Sequence, residues 1–266
     1  MSIPLSCAAA DTATMLRRNL RHLLRYPAMT IMVAGLPIVF LFIFVYVFGG
    51  TLGAGLGHGG GRAAYLAYVT PGIILLGLSG SATATAVSVA TDMTQGIMAR
   101  FRTMAIARSA VLTGHVLGSL IQGLLGCAII LGVALAIGFR PAAGPLAWLG
   151  VISTLAMIVF AVTWLSVVLG LVARSAEEAS NTPTILMVLP FLGSGFVPTA
   201  SMPTALRWFA EYQPFTPVMQ TLRALLTGAP AGNSAIIAAA WCAGISAVSY
   251  LLAVRLFRRD LRPAAR

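Results

Sequence analysis

The sequence predicts an all-α membrane protein with one transmembrane domain over residues 1–266 and six spans. Of its residues, 59% are hydrophobic and 9% are charged, whereas about 25% of the residues in a soluble domain are charged. The apolar residues form runs near the ~20 residues that a helix needs to cross the bilayer. The fifth run is the weakest, because its apolar centre is too short to cross alone. The predicted spans are 29–48, 65–90, 111–137, 146–172, 180–200 and 233–256.

Arginine placement orients these spans. All 17 Lys and Arg residues are arginine. Thirteen of them lie before the first span, in the last turn of the sixth span or after it, or in the loops that join spans two to three and four to five. Because cytoplasmic loops carry the excess of basic residues, we expect a protein of the cytoplasmic membrane with both termini in the cytoplasm. The arginines expected outside are Arg62, Arg140, Arg207 and Arg223.

The composition excludes several function classes. A nucleotide-hydrolysing P-loop needs a lysine, and the chain has none, so ATP and Mg²⁺ are expected on a separate subunit. The six acidic residues avoid the span centres and the three cysteines form no CxxC pair. No catalytic residue, metal or cofactor is therefore expected on this chain. A net charge of +11 suits nucleic acid in a soluble protein, but arginines flanking apolar spans favour an anionic leaflet instead.

Residues 12–26 are predicted to form an amphipathic helix in the cytoplasmic headgroups. The leucines share one helical face, and the arginines lie largely away from it, as is typical of an interfacial helix. A merely solvated basic tail is the alternative interpretation. The leucines are Leu16, Leu20, Leu23 and Leu24, and the arginines are Arg17, Arg18, Arg21 and Arg25.

The third span carries a stripe of small residues formed by Gly114, Gly118 and Gly126. Such a stripe lets another helix approach closely. It predicts packing within one subunit or contact with a second subunit. His115 and Gln122 are the nearest candidates for an intramembrane proton or ion site, but helix–helix hydrogen bonds or an interfacial position are the favoured interpretation of both. The spans therefore lack the clear central charges typical of a stand-alone secondary transporter.

The cytoplasmic segment 92–108 is predicted to be a short amphipathic helix at the membrane face. Its apolar residues recur at helical spacing, with arginines between them, as expected of a helix that docks on a partner. The apolar residues are Met93, Ile97, Phe101 and Met104, and the arginines are Arg100, Arg102 and Arg108.

Two segments are expected on the outer side. The glycine-rich stretch 49–61 predicts a flexible loop. Segment 201–228 combines aromatic residues, which favour the membrane interface, with prolines that prevent one continuous helix. It therefore predicts a helix–turn–helix that re-enters the outer leaflet between the fifth and sixth spans.

The cytoplasmic segment 92–108 and the outer segment, taken from residue 196 to 228, resemble the signatures of the ABC-2 type transporter permeases. Within that family they resemble the daunorubicin/doxorubicin-exporter-like membrane subunits of actinobacteria. Order, spacing and the six-span layout agree over nearly the whole chain. Ala105, Gln213 and His115 depart from the family's usual proline, asparagine and basic residue. The first signature is carried by Asp92, Gly96, Arg100, Phe101, Arg102, Met104, Ile106 and Arg108. The second is carried by Phe196, Val197, Pro198, Met202, Pro203, Trp208, Gln213, Pro214, Arg223, Leu225, Leu226 and Gly228.

The resemblance implies the membrane-spanning subunit of an ATP-driven exporter. It implies a cytoplasmic ABC ATPase partner, a second permease subunit in a homodimer or heterodimer, and a lipophilic or amphipathic substrate such as a drug, a lipid or a lipid-linked glycan. Segment 92–108 would couple to the ATPase. The rival interpretations are a stand-alone secondary transporter and a membrane anchor or assembly factor that transports nothing.

Overall fold

A computed structural model describes residues 27–56, 60–94 and 108–259, and its regular elements there are all helical. Helix α1 passes through a π-helical turn into α2, so that these elements form one rod. A 3₁₀ turn, Thr199–Ser201, precedes α8. The elements are α1 Pro27–Phe42, the π turn Ile43–Phe48, α2 Gly49–Ala54, α3 Arg62–Thr94, α4 Arg108–Ala136, α5 Pro145–Val172, α6 Ala176–Asn181, α7 Thr184–Val188, α8 Thr204–Tyr212, α9 Phe215–Thr227 and α10 Gly232–Arg259.

Five helices of the described chain are long and apolar enough to cross a membrane. They correspond to predicted spans one, two, three, four and six, so the sequence-based prediction of a multi-pass, all-helical membrane protein is confirmed. Many large apolar side chains lie exposed on these helices, as expected of surfaces that face lipid. The five are Ala34–Ala54, Arg62–Thr94, Val116–Ala136, Pro145–Val172 and Gly232–Leu256.

The predicted fifth span, 180–200, does not form one continuous helix. Helices α6 and α7 are short, and a run of turns over 189–197 follows them. Pro183 and Pro190 lack the N–H that a helix interior needs, and Gly193 and Gly195 are poor helix formers. We name 189–197 the unwound segment.

Helix α3 lies at the centre of the fold and contacts α1, α4, α5, α6, α7 and α9. Glycines allow its close contacts: a Cβ built at Gly170 of α5 would lie 2.5 Å from the carbonyl oxygen of Ala86. On α4, Gly123 packs tightly, because a Cβ there would lie 2.6 Å from Cγ1 of Val159. Helix α10 lies at the edge of the bundle, against α5 and α9.

The predicted small-residue stripe lies on α4. Gly118 and Gly126 are buried, but a Cβ built at Gly126 would meet nothing within 4 Å. Gly114 lies in the part of α4 whose side-chain surroundings are not described. The close contact inside the subunit is therefore made at Gly123, and a contact of the stripe with a second subunit stays a prediction.

The prediction of a flexible external loop over 49–61 was wrong for its first half. Residues Gly49–Ala54 are helical, because the first span continues beyond its predicted end. Gly53 permits the chain to return tightly, since a Cβ there would lie 2.5 Å from the carbonyl oxygen of Gly61. The predicted interfacial helix 12–26 lies outside the described residues.

Candidate functional site

The unwound segment packs directly on the backbone of α3. A Cβ built at Gly72 would lie 2.8 Å from both Cα and the carbonyl oxygen of Gly195. A Cβ at Gly195 would in turn lie 2.6 Å from the carbonyl oxygen of Pro190. The two backbones therefore approach more closely than any side chain at these positions permits, and this approach places the unwound carbonyl groups beside α3.

Three side chains donate hydrogen bonds to carbonyls of the unwound segment. Irregular backbone inside a membrane protein needs such partners, because lipid offers no hydrogen bonds. Tyr65 Oη donates to the carbonyl of Phe196 at 3.1 Å. Gln213 Nε2 donates to that of Leu189 at 3.0 Å, and Arg223 Nη2 to that of Ser194 at 2.6 Å. We name Tyr65, Gln213 and Arg223 the carbonyl clamp.

Arg223 joins three elements. It projects from α9, and its Nε and Nη2 also donate to the carbonyl of Tyr68 on α3, at 3.2 and 3.1 Å. Its guanidinium carbon lies 3.7 Å from the centre of the Tyr68 ring, within the range of a cation–π interaction. Burial lowers the pKa of Arg223, while the neighbouring Tyr68 raises it, and arginine stays protonated in proteins. Arg223 thus places a partly buried positive charge between α3, α9 and the unwound segment.

A second layer of polar groups lies behind the clamp. Thr216 Oγ1 accepts hydrogen bonds from the backbone N–H of Ser194 at 3.3 Å and from Gln213 Nε2 at 3.2 Å. The Gln213 amide fills the space that a Cβ at Gly193 would need. Ser194 Oγ and Gln213 Oε1 are buried without a partner among the described residues. Each such group costs about 1–3 kcal/mol, so this cluster is not packed for maximal stability.

Aromatic rings seal the other side of the unwound segment. Phe191 and Phe196 stack with ring centres 4.3 Å apart, and Phe44 from the π turn lies 4.5 Å from Phe196. Phe40 meets Phe191 edge-on at 5.8 Å. Aromatic pairs in these ranges stabilise packing beyond their buried area. The unwound segment is thus held by polar contacts on one side and by phenylalanines on the other.

The predicted outer segment contains the helix–turn–helix expected from its prolines. Pro203 precedes α8, and Pro214 separates α8 from α9. Gly228 ends α9 with φ 75°, a left-handed conformation that favours glycine. Entry of this segment into the outer leaflet stays a prediction.

Helix α8 is exposed over most of its surface. Only Ala210 is buried, and Trp208 is 66% exposed. Arg207 and Glu211 form an exposed ion pair of 2.7 Å on its polar side. Such a helix, with aromatic side chains and a polar side, suits a membrane interface. Pro198 lies before it, at the end of the unwound segment.

The predicted coupling segment lies between two described helices. Asp92 is in the last turn of α3, and Arg108 is the first residue of α4. The residues between them that were assigned to coupling lie outside the described residues; they are Gly96, Arg100, Phe101, Arg102 and Met104.

The loop after α5 reaches the same end of α3. Ala179 of α6 packs on Ala86 and Ala90. Ser175 caps α6 by accepting from the N–H of Glu178 at 3.1 Å, as an N-cap serine does. The end of α3 that leads into segment 92–108 therefore contacts the loop between α5 and the unwound segment.

The sequence analysis named Arg223 and Gln213 but missed Tyr68 and Thr216, which contact them. It also missed Tyr65, the third donor of the carbonyl clamp. The prolines and glycines between 183 and 195 signal a broken helix. They do not indicate which distant side chains contact it. Tyr65 and Phe196 are 131 residues apart in the chain.

A family model described as the ABC-2 type transporter matches residues 11–227, which is most of the chain. The chain belongs to the ABC-2 type transporter family. It is 28% identical over 252 residues to the daunorubicin resistance ABC transporter permease protein DrrB1 of Streptomyces coeruleorubidus, covering 94% of this chain and 87% of that protein. It is 25% identical over 238 residues to the probable doxorubicin resistance ABC transporter permease protein DrrC of Mycobacterium tuberculosis, covering 88% and 84%.

This ABC-2 permease is therefore a membrane subunit of an ABC transporter, as the sequence resemblance implied. Permeases of this family lack the ATPase, so the family implies a partner ATPase subunit on which ATP and Mg²⁺ act. The candidate site contains polar groups, a partly buried cation and aromatic rings, and the described residues show no cluster of metal-ligating side chains.

Proposed function

We propose that this permease provides the membrane path of an ATP-driven exporter for lipophilic or amphipathic compounds, with drug-like antibiotics as the first substrate class to test. The observation that carries the proposal is the near full-length similarity to permeases named for daunorubicin and doxorubicin resistance. Lipids and lipid-linked glycans are the other amphipathic substrates in the same class. The partner ATPase supplies the energy, and a second permease subunit completes the path.

Export in inverted membrane vesicles tests this function. Vesicles that contain the permease and its ATPase should accumulate daunorubicin only when ATP is present. An ATPase whose P-loop lysine is replaced is the matched control, since that lysine contacts the phosphates. ATP-independent accumulation that follows a proton gradient would instead assign the chain to the secondary transporters.

We further propose that the chain crosses the membrane six times, with residues 176–197 as a broken fifth crossing. Contacts along α3 support this path. Ala179 packs on Ala86, the backbone of Gly195 packs against Gly72, and Tyr65 Oη donates a hydrogen bond to the carbonyl of Phe196. From position 86 to position 65 a helix rises about 31 Å, which is close to the ~30 Å of the hydrocarbon. The carbonyl clamp then lies near the outer face, and both termini lie in the cytoplasm.

Single-cysteine labelling measures this topology on a chain without Cys7, Cys127 and Cys242. A cysteine at exposed Tyr212 should react with an impermeant maleimide added outside intact cells, whereas one at exposed Ala176 should react only from the cytoplasm. The reason is that the broken crossing separates them. Equal labelling of both from one side would exclude the broken fifth crossing, leaving five crossings and the C-terminus outside.

We propose that segment 92–108 is the dock for the ATPase. Its support is the amphipathic spacing, the excess of arginine on its predicted side, and its position between α3 and α4. Phe101 and Met104 would enter a groove on the ATPase, and Arg100 or Arg102 would pair with acids at its rim. The other interpretation is that these arginines bind only anionic lipid.

Phe101→Ala is expected to weaken ATPase binding more than Arg102→Ala. A buried aromatic anchor contributes about 2 kcal/mol or more to an interface, whereas an exposed ion pair contributes about 1 kcal/mol or less. Co-purification of the ATPase with each variant, expressed at equal level, measures the difference, and ATP-dependent export is read in parallel. If Phe101→Ala binds the ATPase and exports as the wild type does, segment 92–108 is not the dock. The contact with the ATPase would then be sought around Arg174–Glu178 or in residues 12–26.

A further inference from the structure

Arg223 has hydrogen-bonding capacity that its contacts in the fold do not use. Its Nε and Nη2 make the bonds to Tyr68 and Ser194. A guanidinium has five N–H donors, and the two on Nη1 have no acceptor among the residues that the structure describes. Arg223 is only partly buried, so its remaining donors are not enclosed in a fully packed core.

The positive charge of Arg223 also has no counter-charge in the described chain. Glu211, the acidic residue of the outer segment, is paired with Arg207. Two carbonyl dipoles and the ring of Tyr68 orient the guanidinium but carry no net charge. A desolvated cation without an anion is costly, and ionisable groups in membrane proteins often mark functional sites, ligand sites among them. No described residue supplies an anion to this guanidinium, and an anion from another molecule would balance its charge.

The position of Tyr68 along α3 indicates which molecules can supply that anion. Helix α3 has 33 residues and is about 50 Å long, so it exceeds the hydrocarbon thickness by about 10 Å at each end when centred. Tyr68 lies six residues after Arg62, or about 9 Å along the axis. The guanidinium that covers its ring is therefore at the boundary between hydrocarbon and headgroups, where lipid phosphates and fatty carboxylates lie.

We propose that Arg223 binds the phosphate or carboxylate group of an amphipathic molecule at the outer leaflet, in one site per permease copy between α3 and α9. The assignment of this site to the outer leaflet rests on the proposed six-crossing topology. The binding itself does not depend on transport. The ligand is a resident anionic lipid or an exported amphiphile with an anionic group. Tyr68 and Ser194 are the positioning residues, since their carbonyls hold Nε and Nη2 and leave Nη1 for the anion.

Native mass spectrometry of the full chain with its ATPase tests the site by counting bound dioleoyl phosphatidylglycerol. Compared with the wild type, Arg223→Gln should lose one tightly bound lipid per permease copy, with affinity reduced about tenfold or more, because charge-assisted hydrogen bonds are lost. Arg140→Gln is the matched control. Arg140 is exposed and its Nη1 contacts only nearby carbonyls of Leu135 and Phe139, so its lipid count should equal that of the wild type.

Competing probes test whether the ligand must be both anionic and amphipathic. Oleate should displace the lipid, and dioleoylglycerol, which lacks the phosphate, should not. Displacement by millimolar inorganic phosphate as efficient as that by oleate would overturn the assignment to an amphipathic ligand. Neither probe requires hydrolysis or export, so failure of the site and failure of the proposed exporter function are distinguishable.

A second measurement uses only the wild type, because Arg223→Gln also weakens the carbonyl clamp. Phosphatidylglycerol with a photoreactive headgroup should crosslink to α3 or α9 near Tyr68 and Arg223, and oleate should suppress those crosslinks. Crosslinks confined to the arginine-rich cytoplasmic ends would overturn the proposal. So would equal lipid counts for Arg223→Gln and the wild type.

Discussion

Arg223→Met is expected to abolish export and to destabilise the permease by about 3 kcal/mol or more, because it removes hydrogen bonds from a charged donor to two carbonyls. Methionine retains much of the apolar stem but cannot donate. The carbonyl of Ser194, which lies in the unwound segment and therefore outside a regular helix, is left without its side-chain donor. Thermal unfolding of the purified complex and ATP-dependent export measure the two effects.

Two variants separate the charge of Arg223 from its geometry. Arg223→Lys retains a cation, but a single ammonium cannot reproduce the planar fork that reaches Tyr68 and Ser194 together, so an intermediate loss is expected. Arg140→Met is the matched control and should lower the melting temperature little, because Arg140 is exposed and bonds only locally. If Arg223→Met unfolds and exports as the wild type does, the clamp does not hold the unwound segment.

Gly72→Ala is expected to produce the second largest effect. Its new Cβ would lie 2.8 Å from the backbone of Gly195, and backbone cannot rotate away as a flexible side chain does. Overpacking of this kind costs about 1–3 kcal/mol. The shift would also separate the carbonyl clamp from its acceptors, so we expect export to fall further than stability alone accounts for. Thermal unfolding and ATP-dependent export are both measured on protein expressed at equal level.

Gly132→Ala is the matched control for Gly72→Ala. It lies in α4, and a Cβ there would meet nothing within 4 Å. Alanine is favoured over glycine in a helix by up to about 1 kcal/mol, so this variant should be neutral or slightly more stable. An equal loss in both variants would show that the close approach of Gly72 and Gly195 is not the cause.

The predicted spans agree with the structure where apolar runs are continuous. Helix α5, Pro145–Val172, begins within a residue of its predicted start and ends at the predicted residue. A run of about 20 apolar residues and its flanking charges are local properties, so they can be predicted without knowledge of neighbouring helices. The end of the first span was predicted too early, at Phe48, because the glycines that follow it indicated a loop. In the structure the helix continues to Ala54.

The candidate site was only partly predictable for a related reason. Arg223 and Gln213 stood out through the family resemblance, but Tyr65 and Tyr68 had no local signal. Both lie near the start of the second predicted span. Their role depends on carbonyl groups that become available only because a segment more than 120 residues later is unwound.

The sequence by itself determined that this chain is a multi-pass membrane subunit without its own P-loop, because hydropathy, charge placement and the absence of lysine are properties of composition and local order. Only the tertiary structure decided that the fifth run is broken and which side chains satisfy its carbonyls. Unwound backbone in a membrane protein requires hydrogen-bond partners. Those partners are brought within reach only when α3, α9 and the unwound segment pack together.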